Sequence, residues 1–104
     1  MLPKKFRLTS RQLQAAKNGQ KLPGRLLSFI YKPNQVNHLR AGVIISKKIS
    51  PLAVARNQLK RHIINSLKTH QKIHFDIIVL PKKSITNHQS QDILRQINEL
   101  IKKL

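Results

Sequence analysis

The side chains best placed to do chemistry in this sequence are cations, gathered between positions 46 and 61. Ser46-Lys47-Lys48 stands a short way before Arg56-Asn57-Gln58-Leu59-Lys60-Arg61. Guanidinium and ammonium groups at this density are suited to neutralising phosphates, and a planar guanidinium can grip two oxygens at once. Lys47, Lys48, Arg56, Lys60 and Arg61 are therefore the candidate anion contacts. Asn57 either joins them or orders the start of its helix. The whole chain supports the same reading, because 21 Lys+Arg face only 3 Asp+Glu, a net charge of +18 over 104 residues. No acid precedes Asp76. A solvated surface normally mixes both signs, and a polyanion is the simplest partner for one that does not.

Other chemistries lack their residues. Asp76, Asp92 and Glu99 fall on separate predicted elements and offer no carboxylate pair for acid–base work or metal binding. Zero cysteines exclude a disulfide framework and a thiolate metal site. His70 and His74 sit in a helix-to-strand connection, and Gly19, Gly24 and Gly42 form no phosphate-binding loop. No catalytic residue and no metal ligand is expected in the chain. The charged N-terminal stretch leads into no apolar signal core, and the apolar runs at 42–45 and 77–81 are too short to span a bilayer. A soluble, cytoplasmic protein of one domain (1–104) is expected, with no membrane partner.

The cations need elements to aim them. Residues 9–18 read as a short helix, capped by Thr9 or Ser10 and stopped at Gly19. Leu26–Tyr31 and Arg40–Ser46 read as strands, the second β-branched enough for burial on both faces. Ser50 as cap and Pro51 as first residue start the next helix, with Leu52, Leu59, Ile63 and Leu67 as its buried stripe. Asn57, Arg61 and Lys68 fall on a separate face with Lys60 on its flank, and Arg56 is expected at the rim between helix and sheet. Phe75–Leu80 is a strand ended by Pro81. A last helix runs from about Ser90 to Lys103, with Ile93, Ile97, Leu100 and Leu104 inward. The order α-β-β-α-β-α predicts an α+β fold, a small two-layer α/β sandwich. Composition alone admits an RNA-binding subunit of an enzyme, a small ribosomal protein bound to rRNA, or a DNA-binding architectural protein.

Ser46-Lys47-Lys48 at a strand end, followed by a helix with Ala55-Arg-Asn-Gln-Leu-Lys-Arg61, resembles the protein subunit of bacterial ribonuclease P. That family carries V-S-K-K, a short turn and R-N-R-I-K-R. Asp76-Ile-Ile-Val-Leu80 is similar to its D-[IVY]-V-V-[IL] strand, and Arg7-Leu8 before a short helix is similar to its N-terminal segment. Gln58 stands where the motif has its second Arg. Leu13, Ala15 and Ala16 occupy the region where the family's first helix usually presents Phe.

The resemblance implies a left-handed βαβ crossover, against the usual right-handed rule. It implies a non-catalytic subunit that binds the catalytic RNA of ribonuclease P, the enzyme that removes the 5′ leader from precursor tRNA. Hydrolysis is then the work of that RNA and of Mg²⁺ held mainly by it, with one protein per RNA. Lys47, Lys48, Arg56, Asn57, Lys60 and Arg61 map to the RNA contacts. Phe29, Tyr31 and, on the first helix, Leu13 map to a cleft for the single-stranded leader, where bases stack on aromatic faces. Several motifs in order favour this reading over the ribosomal and DNA-binding ones.

Overall fold

Thr9 starts the first helix. Its Oγ1 accepts from the Gln12 amide (3.2 Å) while its own amide donates to Gln12 Oε1 (2.9 Å), the reciprocal pair of a capping box. The helix that follows, α1 (Ser10–Ala16), ends as the Gly19 amide closes on the Ala16 carbonyl (2.9 Å). A Cβ at Gly19 would collide with the Tyr31 carbonyl, so the chain can pass from helix to sheet edge there because position 19 has no side chain. These details come from a computed structural model, which describes residues 6–46, 48–49, 52–83, 85 and 90–104.

The sheet has the order β1-β2-β4-β3. The short β1 (Gln20–Leu22) pairs antiparallel with β2 (Leu27–Pro33), which pairs antiparallel with β4 (Phe75–Pro81). On the far side of β4, β3 (Arg40–Val43) runs parallel to it, and α2 (Ala53–Lys68) connects the two as a βαβ unit. The last helix is α3 (Ser90–Ile101), and Lys102 and Lys103 lie in the turn beyond it. The fold is α+β, as expected, with one strand more. At three residues, β1 is too short to show an alternating pattern in sequence. The second strand also runs on through Pro33, whose missing donor is tolerated at the strand's end.

Pleating assigns the sheet two faces. Leu27, Phe29, Ala41, Ile77 and Val79 turn to α2 and α3, where Ile63, Leu67, Ile93, Ile97 and Leu100 complete the main core. Ile30 and Ile78 turn the other way and are buried under Ala16 of α1, with Leu8, Leu13, Ile44 and Leu80 half-buried around them. The principal sandwich is thus α2 and α3 on the sheet, and α1 crosses the opposite face.

The start of α2 corrects one expectation. The helix begins at Ala53 with Leu52 as N-cap and no side-chain cap bond, and Ser50 and Pro51 lie outside the described residues. Leu52, expected in the buried stripe, is 69% exposed. Its backbone (φ −84°, ψ 125°) is extended, so the 100° helical phase does not reach it. Leu59, Ile63 and Leu67 are buried as the spacing predicts. In α3, Ile93, Ile97 and Leu100 are buried, and Leu94 faces outward.

Two polar links tie the layers together. The buried Gln96 of α3 accepts the Leu26 amide through Oε1 (2.8 Å). Arg40 and Asp76, opposite each other in the β3–β4 register, form a two-pronged pair: Nε to Oδ1 and Nη2 to Oδ2, both 2.8 Å. Asn34 Nδ2 adds a bond to Asp76 Oδ1 at 2.9 Å. Hydrogen bonding to Asp76 holds the Arg40 guanidinium above its ordinary pKa, against the opposing effect of burial.

Candidate nucleic-acid interface

Helical spacing brings the motif residues together. Asn57, Lys60, Arg61 and Ile64 stand at i, i+3, i+4 and i+7 of α2, and these four line one shallow depression. Ile64 is buried and forms its floor, while Asn57, Lys60 and Arg61 are exposed. The neighbouring stripe of Leu59, Ile63 and Leu67 anchors the helix on the sheet, so the cationic face is held outward by the packing behind it. Arg56, expected at the rim between helix and sheet, is half-buried. Lys48 is exposed past the end of β3, and Lys47 lies outside the described residues. Among the described residues, Lys60 and Arg61 have no carboxylate partner. Asp76 is engaged by Arg40 and Asn34, and the other two acids are on α3.

Lys60 also belongs to a second groove, between α2 and the segment leading into α1. Arg7, Leu8, Leu13, Ala41, Gly42, Val43 and Ile64 complete its lining. The segment is pinned to the exposed side of β3 by a parallel bridge between Arg7 and Ala41 and by the Leu8 amide on the Ala41 carbonyl (3.1 Å). That contact also covers part of an otherwise open sheet edge. Gly42 sets how closely the two sides approach, since a Cβ there would lie 2.6 Å from Leu13 Cδ1. The groove therefore has an apolar floor, with Arg7 exposed on one side and Lys60 on the other. An apolar floor between cations suits a nucleotide strand, with bases down and phosphates out.

Leu13 reaches this groove; Phe29 and Tyr31 do not share its surface. Phe29 is 0% exposed and sits in the main core, on the α2/α3 side of the sheet. Tyr31 lies on that same side, half-buried, its ring edge-to-face with Phe75 at 5.8 Å and its hydroxyl donating to Gln20 Oε1 (2.9 Å). The period-two argument that Phe29 and Tyr31 share a face holds. Nothing in the sequence said which face α1 would cover, and it covers the one that carries Ile30. Arg7, Gly42 and Ile64 were missed as groove residues. Gly42 had a readable signal, because a glycine inside a β-branched strand marks a close approach.

Among the described residues no group of three or more His, Asp or Glu side chains could hold a metal ion. His70 is held by Asn98, its Nε2 lying 2.6 Å from Asn98 Oδ1 across α2 and α3. No helix among the described residues is long and apolar enough to cross a membrane.

Comparison with known proteins agrees with this geometry. Residues 2–104 match the family model described as Ribonuclease P. A ribonuclease P protein component from Ectopseudomonas mendocina is 34% identical over 101 residues, covering 93% of this chain and 75% of its own. The one from Stutzerimonas stutzeri is 32% identical over 101 residues, covering 93% and 77%. Among solved structures, the Staphylococcus aureus RNase P protein superposes with a TM-score of 0.83 at 26% identity, covering 93% of each chain. The Thermotoga maritima RNase P protein shares the fold, with a TM-score of 0.82 at 23% identity over 94% of this chain and 96% of its own.

Proposed function

Because this chain belongs to the ribonuclease P protein family, and so is the protein subunit of that tRNA-processing endoribonuclease, we propose a division of labour between its two adjoining surfaces. Asn57, Lys60 and Arg61, together with Lys47, Lys48 and Arg56, hold phosphates of the catalytic RNA. The groove of Arg7, Leu8, Leu13, Gly42 and Ile64 holds the single-stranded 5′ leader of precursor tRNA. Phe29 and Tyr31 serve the sheet that supports both.

The observation that carries this reading is the position of Lys60, which lines both the cationic depression and the apolar groove. One side chain at the junction lets the two RNAs be held in a fixed relation, so that orientation rather than protein chemistry is what the subunit contributes. Asp76 is committed to Arg40 and Asn34, and Asp92 and Glu99 lie apart from the groove on α3. The hydrolytic step is accordingly assigned to the RNA and its Mg²⁺, with one protein per RNA acting in the cytoplasm. Cations on the protein lower the repulsion between folded RNA and substrate, which Mg²⁺ alone must otherwise screen.

Reconstitution tests the proposal. Adding the chain to ribonuclease P RNA at low Mg²⁺ is expected to stimulate 5′ processing, and more strongly for precursors with a leader long enough to fill the groove. Stimulation independent of leader length would remove the groove from the reading. An absence of any stimulation at concentrations that bind would remove both surfaces.

A further inference from the structure

One end of the sheet collects cations that the motif helix does not account for. The parallel strands β3 and β4 both leave the sheet at this end, and β2 enters it there, with Leu27 opposite Pro81. The Lys82 amide donates to the Leu26 carbonyl (2.9 Å), which fixes the exit of β4 beside the start of β2. Lys48 follows β3, Lys82 and Lys83 follow β4, and Arg25 precedes β2; all four are exposed. The last turn of α3 reaches the same place, since Gln96 holds the Leu26 amide and an open groove is lined by Gly24, Arg25, Gln96, Glu99, Leu100 and Lys103.

Basic residues outnumber carboxylates along this rim. Among the described residues, Glu99 is the one carboxylate side chain lining that groove. Asp92 lies in the first turn of α3, and Asp76 sits at the opposite end of β4 with Arg40. At the opposite end of the sheet Arg40 is matched by the Asp76 carboxylate.

We infer that this rim, from Lys48 through Lys82 and Lys83 to Arg25 and Lys103, is a second contact surface for RNA phosphates, and that its occupant is the catalytic RNA. The choice of occupant follows from placement. The rim starts at Lys48, where the motif surface ends, and continues toward α3, which packs on the face of the sheet opposite α1. An RNA backbone already held on α2 can extend across the strand ends. The inference rests on the reading that α2 holds that RNA.

The test compares two pairs of exposed lysines at opposite ends of the sheet, K82A/K103A on the rim and K32A/K72A away from it. Binding of ribonuclease P RNA is measured against salt, first alone and then with leader-bearing precursor tRNA bound, with K60A as a marker of the α2 surface. K82A/K103A is expected to make the slope of log affinity against log salt shallower by about 1.4–1.8, at ~0.7–0.9 for each phosphate that is no longer neutralised. K32A/K72A is expected to leave it nearly unchanged. Equal changes in both pairs would mean that net charge alone is read, and would overturn the inference. A rim effect confined to leader-bearing precursor would assign the surface to the leader and overturn it as well. If K60A flattens the slope and K82A/K103A does not, the rim inference alone fails; if neither does, the α2 reading fails with it.

Discussion

On one face of the sheet Leu27, Phe29, Ile77 and Val79 are fully enclosed by α2 and α3. On the other, Ile30 and Ile78 are buried under Ala16, and the surrounding Leu8, Leu13, Ile44 and Leu80 stay half-exposed. The same period-two strands build both, so the difference comes from what covers them. Two long helices close the first face, and a helix of seven residues cannot close the second. The first face spends its apolar area on stability. The second keeps apolar surface open beside Arg7 and Lys60, where a nucleic-acid strand can use it.

Phe29→Ala gives the largest expected effect and the sharpest way to break this comparison. Emptying a fully enclosed phenyl site costs about 3–5 kcal/mol, a large share of the stability of a domain this size. Chemical denaturation is expected to show that loss, with leader-bearing and mature tRNA affected alike in whatever fraction remains folded. A loss confined to leader-bearing substrate, with unchanged stability, would put Phe29 on the functional side after all.

Asp76→Asn comes next and belongs to neither apolar face. It removes the charge that Arg40 is paired with while keeping the shape of the side chain. Loss of one partner from a buried pair costs ~3–5 kcal/mol, and partial exposure of Arg40 brings the expectation here to about 2 kcal/mol. The raised Arg40 pKa decides the pH dependence expected of its side of the pair. A raised folded-state pKa gives stability that is present below the unfolded value and lost only as pH rises through the folded one. For a guanidinium that window lies in strong alkali, so no loss traceable to Arg40 is expected in a stability profile from pH 6 to 9. A step within that range that vanished in an Arg40→Gln variant would contradict it.

Gly42→Ala probes the open face. The new methyl group would meet Leu13 Cδ1 at 2.6 Å, and because that atom ends a flexible side chain, the cost to stability is held to about 1 kcal/mol. The groove should nonetheless change shape, since Leu13 must move into it or carry α1 outward. Leader-bearing precursor is expected to lose affinity by a factor of about three to ten, the equivalent of ~1 kcal/mol, while binding of the catalytic RNA alone stays the same. Equal losses for both RNAs would show that the second face is only packing.

Legibility from sequence follows the same division. A cap at Thr9 or Ser10, the Leu59–Ile63–Leu67 stripe and the β4 strand were readable because each is a local pattern whose meaning does not depend on the rest of the fold. The motif face was readable in the same way, with Asn57 and Arg61 on one face and Lys60 on its flank, whereas the depression that joins all three to Ile64 is seen only in the fold. What the sequence did not carry was long-range. The side of the sheet that α1 crosses decides whether Phe29 or Ile30 looks toward the groove, and no local spacing encodes it. The bond from Gln96 to the Leu26 amide joins residues far apart in the chain. Leu52 misled for a different reason: its residue type fits the stripe, but its backbone lies outside the helix.

Tyr31→Phe is the smallest expected effect and the finest test of the boundary between the two faces. The hydroxyl bonds Gln20 Oε1 at 2.9 Å in a setting open to water, so its removal is expected to cost about 0.5 kcal/mol. The ring stays against Phe75 and goes on closing the end of the first face beside β1. Were Tyr31 a leader contact, its hydroxyl would instead be available to a phosphate or base, and its loss would be felt with leader-bearing precursor and not with mature tRNA. Melting temperature and affinity for both substrates, measured on one variant, separate these outcomes. A small fall in melting temperature with equal affinities keeps Tyr31 with the sheet, and a leader-specific loss with unchanged melting moves it to the RNA.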